Sequence, residues 1–354
     1  MNEKIHIALL FGGQSAEHEV SVRSAQNIYN ALDKEKYDVT LIGITKDGSW
    51  QYLPSISLPE HSTPKKPEEA GLVEVFSPFS RISVNQKPID VVFPVLHGPN
   101  GEDGSIQGML QMIDIPFVGP NVLGSAIGMD KDIMKRLLRD AGIPIGKFST
   151  LTDGKQMTFS DAEKAVGLPL FVKPANLGSS VGVSKVTSED EYNKALETAF
   201  LYDRKILIEE AIIGRELEIS VLGNEDPIAS IAGEIIPKTH DFYDYDAKYI
   251  NSDAVELRIP AHLPDATLKE LQDLAIRVFT TLSCEGMARV DFFMTPHNKL
   301  FVNEINTIPG FTNISMYPSL WKASGISYPA LIDKLIDLAI ERHTRDTKYR
   351  RVTK

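Results

Sequence analysis

The sequence predicts an α/β protein that opens on a parallel-sheet domain and continues into further mixed units. Three observations predict it. Ile5–Phe11 is an apolar run that stops at Gly12-Gly13 and gives way to a helical pattern from Val20 to about Leu32. Strand, glycine turn and helix open an α/β unit, and such sheets bind ligands at the C-terminal ends of their strands. A second run, Asp90–Leu96, ends the same way, in His97-Gly98-Pro99-Asn100-Gly101-Glu102-Asp103-Gly104 before a helix over Ser105–Ile113. Far downstream, the apolar runs Arg289–Met294 and Leu300–Ile305 flank Thr295-Pro296-His297-Asn298, a turn-rich tetrad that suggests a β-hairpin.

Bulk properties narrow the function classes. With 354 residues there is room for two or three domains, and 42% hydrophobic against 24% charged residues is the balance of an ordinary soluble chain. The net charge of −11 argues against nucleic-acid or anionic-membrane partners, although a local basic pocket for phosphates remains compatible with it. The single cysteine, Cys284, permits no internal disulfide and no cysteine metal cluster, which suits a reducing cytoplasm. It ends a helical pattern, and a buried structural thiol outweighs a nucleophile there. No run approaches the roughly 20 apolar residues of a membrane span. The opening Met1-Asn2-Glu3-Lys4 leads straight into a strand, without the pattern of a signal peptide.

Between these landmarks the elements follow in order. Tyr37–Ile44 reads as a strand, Pro54–Pro88 as a long irregular excursion, and Ile115–Val118 as a further strand before a boundary at Gly119-Pro120-Asn121. The glycines of the first loop do not form a dinucleotide fingerprint, and Glu17 and Glu19 sit where a helix dipole favours acids in any case. Met129-Asp130-Lys131 opens a helix to Ala141, stopped by Gly142-Ile143-Pro144. Leu168–Lys173 is a strand that ends in a lysine, followed by the small-residue loop Ala175–Gly182 and a strand over Val183–Val186. Small side chains let backbone N–H groups approach a polyphosphate, and Lys173 delivers a point charge beside them. No Gly-Lys-Ser/Thr follows and no helix begins there, so the loop is not a Walker A motif. Lys205–Glu209 is a strand leading to Glu209-Glu210-Ala211-Ile212 and Glu216, where backbone amides and a carboxylate suit a hinge that reads a base and a ribose. Leu217–Leu222 and Pro227–Ile235 pair around a turn. Thr239–Asn251 has neither period and reads as a candidate lid, Ala266–Leu282 as an amphipathic helix, and Tyr328–Arg342 as a closing core helix.

In the C-terminal hairpin, side chains alternate faces, so Arg289 and Asp291 share one face, as do Glu304 and Asn306. A turn centred between Pro296 and His297 sets Arg289 opposite Glu304 and Asp291 opposite Val302, with both pairs on the same face. That collects two carboxylates, an amide oxygen and a guanidinium within otherwise apolar strands. Mg²⁺ favours such oxygen ligands, usually completed by substrate phosphates. A one-residue slip would scatter the set.

Seven stretches in this order resemble a known family: Gly12–Ser21, His97–Gly104, Met129–Lys131, Val172–Pro174 with Gly178–Gly182, Tyr243–Tyr249, Arg289–Asp291 and Asn303–Gly310. Together they make the chain, over nearly its whole length, similar to the ATP-grasp ligases, and within them to the D-alanine–D-alanine ligases of peptidoglycan precursor synthesis. The resemblance implies an ATP-grasp clamp behind a Rossmann-like N-terminal domain. Its divisions are an N-terminal domain over residues 1–121, a central small domain over 122–213, and a C-terminal domain over 214–354 that carries the lid 239–251.

The resemblance also implies roles. Lys131, Lys173 and Ser179 would meet the ATP phosphates, Glu209 and the backbone from Glu210 to Ile212 the adenine, Glu216 the ribose, and Lys248 the γ-phosphate under a closed lid. Asp291, Glu304 and Asn306 match the ligands of two Mg²⁺ (or Mn²⁺) ions. Arg289 and the N–H of Gly310 match oxyanion donors. Glu17, tied to Ser179 and Tyr249, matches the holder of the first D-alanine's ammonium, with His97 nearby, while Ser315 and the Met316 backbone cradle the second substrate's carboxylate. A cytoplasmic homodimer is the family expectation. Two departures stand out: Asn176-Leu177 replaces an Arg-Glu pair of some members, and Glu210 replaces lysine or glutamine. The rival readings are a D-alanine–D-lactate ligase, whose members lack the lid tyrosine, and a non-catalytic ATP-binding module, which would tolerate loss of the metal and substrate residues retained here.

Overall fold

The structure, a computed structural model, describes residues 3–53, 56, 83–84, 87–238 and 255–349. The candidate lid Thr239–Asn251, with Lys248 and Tyr249, lies outside the described residues, as does most of the Pro54–Pro88 excursion.

The first sheet is built from β1 (Ile5–Gly12), β2 (Tyr37–Ile44), β3 (Trp50–Leu53) and β6 (Val91–Val95), in the order β3-β2-β1-β6, while β4 (Ser83–Val84) and β5 (Lys87–Pro88) pair apart from it. β1 runs parallel to both β2 and β6. Parallel strands buried on both faces read as continuous apolar runs, and β1 and β6 do. Gly12 turns the chain out of β1 with φ +94°, and any Cβ there would lie 2.1 Å from the Ile44 carbonyl oxygen, so only glycine fits. The helix α1 (His18–Ala31) follows, and α2 (Ser105–Met112) follows the second glycine loop. The expected strand at Ile115–Val118 reduces to a single parallel bridge, Val92 to Phe117.

The helix expected from Met129 to Ala141 is α4 (Lys131–Asp140), and a helix the sequence did not announce, α3 (Val122–Met129), precedes it. Asp130 separates them with an extended ψ of 97°, and its carboxylate accepts from the N–H groups of Asp132 and Ile133, each at 3.1 Å. That is an N-cap, and it fixes the direction in which Lys131 leaves the helix. The second sheet joins β7 (Phe148–Thr152), β8 (Leu170–Pro174), β9 (Ser184–Val186) and β10 (Lys205–Glu210) in the order β7-β10-β8-β9, covered by α5 (Phe159–Val166) and α6 (Glu189–Phe200). The third sheet, in the order β13-β12-β11-β14-β15, holds β11 (Arg215–Gly223), β12 (Ile228–Pro237), β13 (Val255–Arg258), β14 (Gly286–Met294) and β15 (Leu300–Asn306). Helices α7 (Asp265–Thr281), α8 (Met316–Ala323) and α9 (Tyr328–Asp346) complete the described chain.

The cores show which parts pack together. Ile28 of α1, Phe93 of β6, Met287 of β14, Trp321 of α8 and Ile336 of α9 share one buried cluster. The chain therefore returns to cover its own first sheet. Arg342 of α9, only 4% exposed, donates to the carbonyl oxygens of Phe117, at 2.6 Å, and of Gly119. Replacement by methionine removes two charge-assisted bonds and leaves two buried carbonyls without donors. Arg342→Met is expected to cost about 3 kcal/mol, read as a lower urea midpoint at an unchanged slope.

Candidate active site

The third sheet presents an acidic face. On β11, Glu216 and Glu218 point to the side on which Glu218 lies opposite Asp291 of β14. From Met294–Leu300 to Phe292–Val302 the hairpin pairs regularly, and then the register shifts between Asp291 and Phe292. Asn303 is the extra residue of this β-bulge. Beyond it Asp291 faces Glu304 and Arg289 faces Asn306. The expected pairs, Arg289 with Glu304 and Asp291 with Val302, are therefore corrected. Val302 instead meets Phe292, and both are buried in the core. The four polar residues still share one face, because the bulge lets Val302 and Glu304, two apart, point to opposite sides.

Their charged groups lie in direct contact. Arg289 grips Asp291 with two bonds, Nε to Oδ1 at 2.7 Å and a terminal nitrogen to Oδ2 at 2.8 Å, and its Nε lies 3.1 Å from Glu218 Oε2. Burial opposes the guanidinium charge, but Asp291 and Glu218 hold its pKa well above the ordinary value. Asn306 Nδ2 donates to Asp291 Oδ2 at 2.9 Å, leaving its amide oxygen for other partners. Among the described residues no three His, Cys, Asp or Glu side chains gather closely enough to hold a metal alone. Mg²⁺ commonly takes only one or two carboxylates together with phosphate oxygens, so the all-oxygen set Asp291, Glu304 and Asn306 fits it.

Opposite this face, a cleft of about 960 Å³, its open mouth included, runs between the second and third sheets. Lys131, Lys173, Ser179, Glu209, Glu210, Ile212, Glu216 and Glu304 all line it, with Phe171 and Phe293 as apolar walls. Lys131 Nζ donates to the Leu177 carbonyl at 2.7 Å and lies 3.3 Å from Glu304 Oε2, joining helix, loop and hairpin. Lys173 pairs with Glu209 at 2.7 Å. Leu207 is the residue directly opposite Lys173, so Glu209, two along, falls diagonally on the same face. Glu210 Oε1 accepts from the Lys147 N–H at 2.6 Å. In the loop, Ser179 and Ser180 adopt φ of +54° and +59°, a left-handed conformation uncommon for serine. Strain of this kind concentrates at ligand clamps.

The loops of the first sheet close the far end. Ser179 Oγ donates to Glu17 Oε1, tying the phosphate loop to the loop after β1. His97 Nδ1 donates to the Ile308 carbonyl at 2.9 Å, and burial lowers its pKa against the opposing pull of Glu17. The ring is thus neutral with Nε2 as an acceptor, and that buried atom has no partner among the described residues. Glu102 accepts from the Gly98 N–H at 2.6 Å and from the Ile308 N–H at 3.3 Å. Ile308 is therefore held at both its N–H and its carbonyl by one loop. Next along, Phe311 packs edge-on against Phe93 and Tyr328, each with ring centroids 6.1 Å apart. Gly310 sits between these anchors, where a Cβ would lie 2.8 Å from Ser315 Oγ. Ser315 Oγ is bonded to Thr312 N at 2.9 Å, and Met316, buried, begins α8.

Four contributors carried no assigned role in the sequence reading. Lys135, four residues after Lys131 on the same helix face, is 2% exposed and 3.4 Å from Glu209 Oε1. Glu218 follows Glu216 at strand spacing; both signals were visible. The Asn303 bulge and the Glu102 clamp had no local signal, since each depends on a pairing made only in the folded chain.

Burial, and next to it the charge of Glu17, push the Glu102 carboxyl up from 4.5 to about 8. The folded state then binds a proton that the unfolded state releases above pH 4.5, so this contribution to stability is present at low pH and is lost as pH rises toward 8. Glu102→Gln cannot ionise and is expected to flatten the fall in stability between about pH 5 and 8. Urea midpoints at those two pH values check it, and an unchanged slope refutes the assignment.

Comparison with known proteins places this geometry. Residues 6–120 match the model described as D-ala D-ala ligase N-terminus, and residues 137–337 the model described as D-ala D-ala ligase C-terminus. The D-alanine–D-alanine ligase of Oceanobacillus iheyensis is 50% identical over 362 aligned positions, covering 98% of each chain. D-alanine–D-alanine ligase A of Escherichia coli K12 is 50% identical over 358, covering 97% of this chain and 98% of that one. Among solved structures, the D-alanine–D-alanine ligase of Coxiella burnetii superposes with a TM-score of 0.85 at 41% identity, covering 98% of this chain and 97% of the other. The VanG D-Ala:D-Ser ligase of Enterococcus faecalis follows at 0.83 and 35%, covering 95% and 100%. With matches of this extent to both halves, and an ATP-grasp fold around the cleft, the chain belongs to the D-alanine–D-alanine ligase family.

Proposed function

We propose that this chain joins two molecules of D-alanine into D-alanyl-D-alanine at the expense of ATP, for peptidoglycan precursor synthesis. One observation carries the reading. The acidic hairpin, the lysine-lined cleft and the Glu17–Ser179 pair converge on a single site, so nucleotide, activating charge and amino acid meet in one place.

The polyphosphate lies along Lys131, Lys173 and the strained serine loop, with adenine against Glu209 and the Glu210–Ile212 backbone, and the ribose on Glu216. Glu209 Oε1, buried and without a hydrogen bond beyond its ion pair, suits the exocyclic amine of adenine. Asp291, Glu304 and Asn306 would hold the two Mg²⁺ or Mn²⁺ ions, which neutralise charge on the transferred phosphoryl group. Glu17 and the neutral Nε2 of His97 both accept from the ammonium of the first D-alanine, and its carboxylate attacks the γ-phosphorus, releasing ADP and an acyl phosphate. The amine of the second D-alanine, its carboxylate on Ser315 and the Met316 backbone, attacks the activated carbonyl. Arg289 and the Gly310 N–H stabilise the oxyanion, and phosphate leaves. Arg289 is already fixed by two carboxylates, so it needs no reorganisation as charge develops. Lys248 and Tyr249, outside the described residues, complete the reading as lid groups that keep water from the acyl phosphate.

The division at residues 121/122 and 213/214 is part of the same proposal, supported by the partition of strands among three sheets. So are a cytoplasmic location and pairing of two copies. Among the described residues no helix is long and apolar enough to cross a membrane.

The deciding experiment is D-alanine-dependent phosphate release with mass identification of the product, run with D-alanine alone and with D-lactate or D-serine added. Dipeptide is expected to predominate at neutral pH, and predominant ester or mixed D-serine product sinks the reading. Glu304→Gln is expected to lower turnover at least about 100-fold, the scale of losing a pre-placed charge at a reacting phosphoryl group, with an unchanged melting profile. Near-normal activity contradicts the metal assignment.

A further inference from the structure

Behind the cleft wall stands a buried lysine that the chemistry above does not use. Lys135 lies one turn beyond Lys131 on α4, 2% exposed, with Nζ 3.4 Å from Glu209 Oε1 and 5.9 Å from the Phe148 ring centroid. The other oxygen of Glu209 is bound by Lys173 at 2.7 Å. A single carboxylate is thus shared by two lysines inside the protein. Burial would raise its pKa, but Lys135 and Lys173 together hold it below the ordinary value.

Resting on the ATP reading above, we propose that Lys135 is a positioning residue for the nucleotide: it keeps Glu209 neutralised when Lys173 turns from that carboxylate to the phosphates. The physical reason is charge compensation. Lys173 cannot serve Glu209 and a polyphosphate fully at once. Were it the only cation, its transfer would leave Glu209 buried and unpaired, which is strongly unfavourable. With Lys135 on Oε1, the carboxylate stays compensated whichever way Lys173 points. The two lysines are therefore not equivalent. Lys173 lines the cleft, whereas Lys135 does not, and Lys135 acts on ATP only through Glu209.

The test is ATP affinity measured by calorimetry on the full chain without D-alanine, so that it does not depend on turnover. Lys135→Met keeps the volume and removes the charge. It is expected to weaken ATP binding by about 10- to 100-fold while leaving the KM for D-alanine unchanged. Glu209→Gln removes the charge that traps Lys173, so in that background Lys135→Met is expected to change ATP affinity by less than about threefold, whatever Glu209→Gln costs by itself. A merely structural lysine costs the same in both backgrounds. Unchanged ATP affinity in a folded Lys135→Met protein overturns the proposal, as does an equal loss from Lys135→Met in the wild-type and Glu209→Gln backgrounds. If Lys135→Met alone does not fold, the comparison is made within Glu209→Gln. There Lys135→Met is expected to change affinity by less than about threefold, and a loss of tenfold or more overturns the proposal. Wild-type protein that binds ATP yet forms no dipeptide removes the ligase reading but leaves this test standing. Wild-type protein that does not bind ATP removes both.

Discussion

Compensation of charge away from water is the constraint on which this site depends. Arg289, Asp291 and Glu218 form one ion-paired group, Lys131 and Glu304 another, and Lys135, Glu209 and Lys173 a third. Isolated ions in such surroundings would shift their pKa values or drag in water. Pairing offsets that cost and holds geometry. The side chains that await phosphate and metal are thus held in place by one another beforehand, and substrates exchange partners with them.

The backbone achieves this with few devices. An aspartate cap at residue 130 breaks what would be one helix and aims Lys131 into the cleft. A single bulge at Asn303 turns Glu304 onto the face of Asp291 while leaving Val302 in the core. Positive φ at Ser179 and Ser180 bends the loop back toward Glu17. These three departures from regular geometry fall at the site, where stored strain and irregular pairing are expected.

Much of this was legible in the residues, for identifiable reasons. Apolar runs ending at glycine located the loops of Glu17 and His97, and period-2 alternation put Arg289 with Asp291 and Glu304 with Asn306. The hairpin pairing was wrong, because a bulge adds a residue without any composition signal at Asn303. The extra helix Val122–Met129 was missed because its glycines and short length imitate a loop, and Ile115–Val118 looked like a strand because it is apolar and buried but has only one bridge to its neighbour. Lys135 escaped notice as one lysine among several on a charged helix. Only its burial and its pairing with Glu209 of β10 distinguish it from a solvated side chain.

The double hold on Ile308 carries a consequence for building hybrids of this protein. The loop that bonds both sides of that peptide belongs to the first sheet, while the residues that follow it bear the oxyanion and acceptor groups. The same first sheet shares its core with Met287, Trp321 and Ile336 from the far end of the chain. The N-terminal third is therefore not an interchangeable cassette. A chimera that imports it from a relative must import the matching surfaces of α8 and α9 and the segment around Phe311 as well, whereas the second sheet, with its separate core, is the natural unit of exchange.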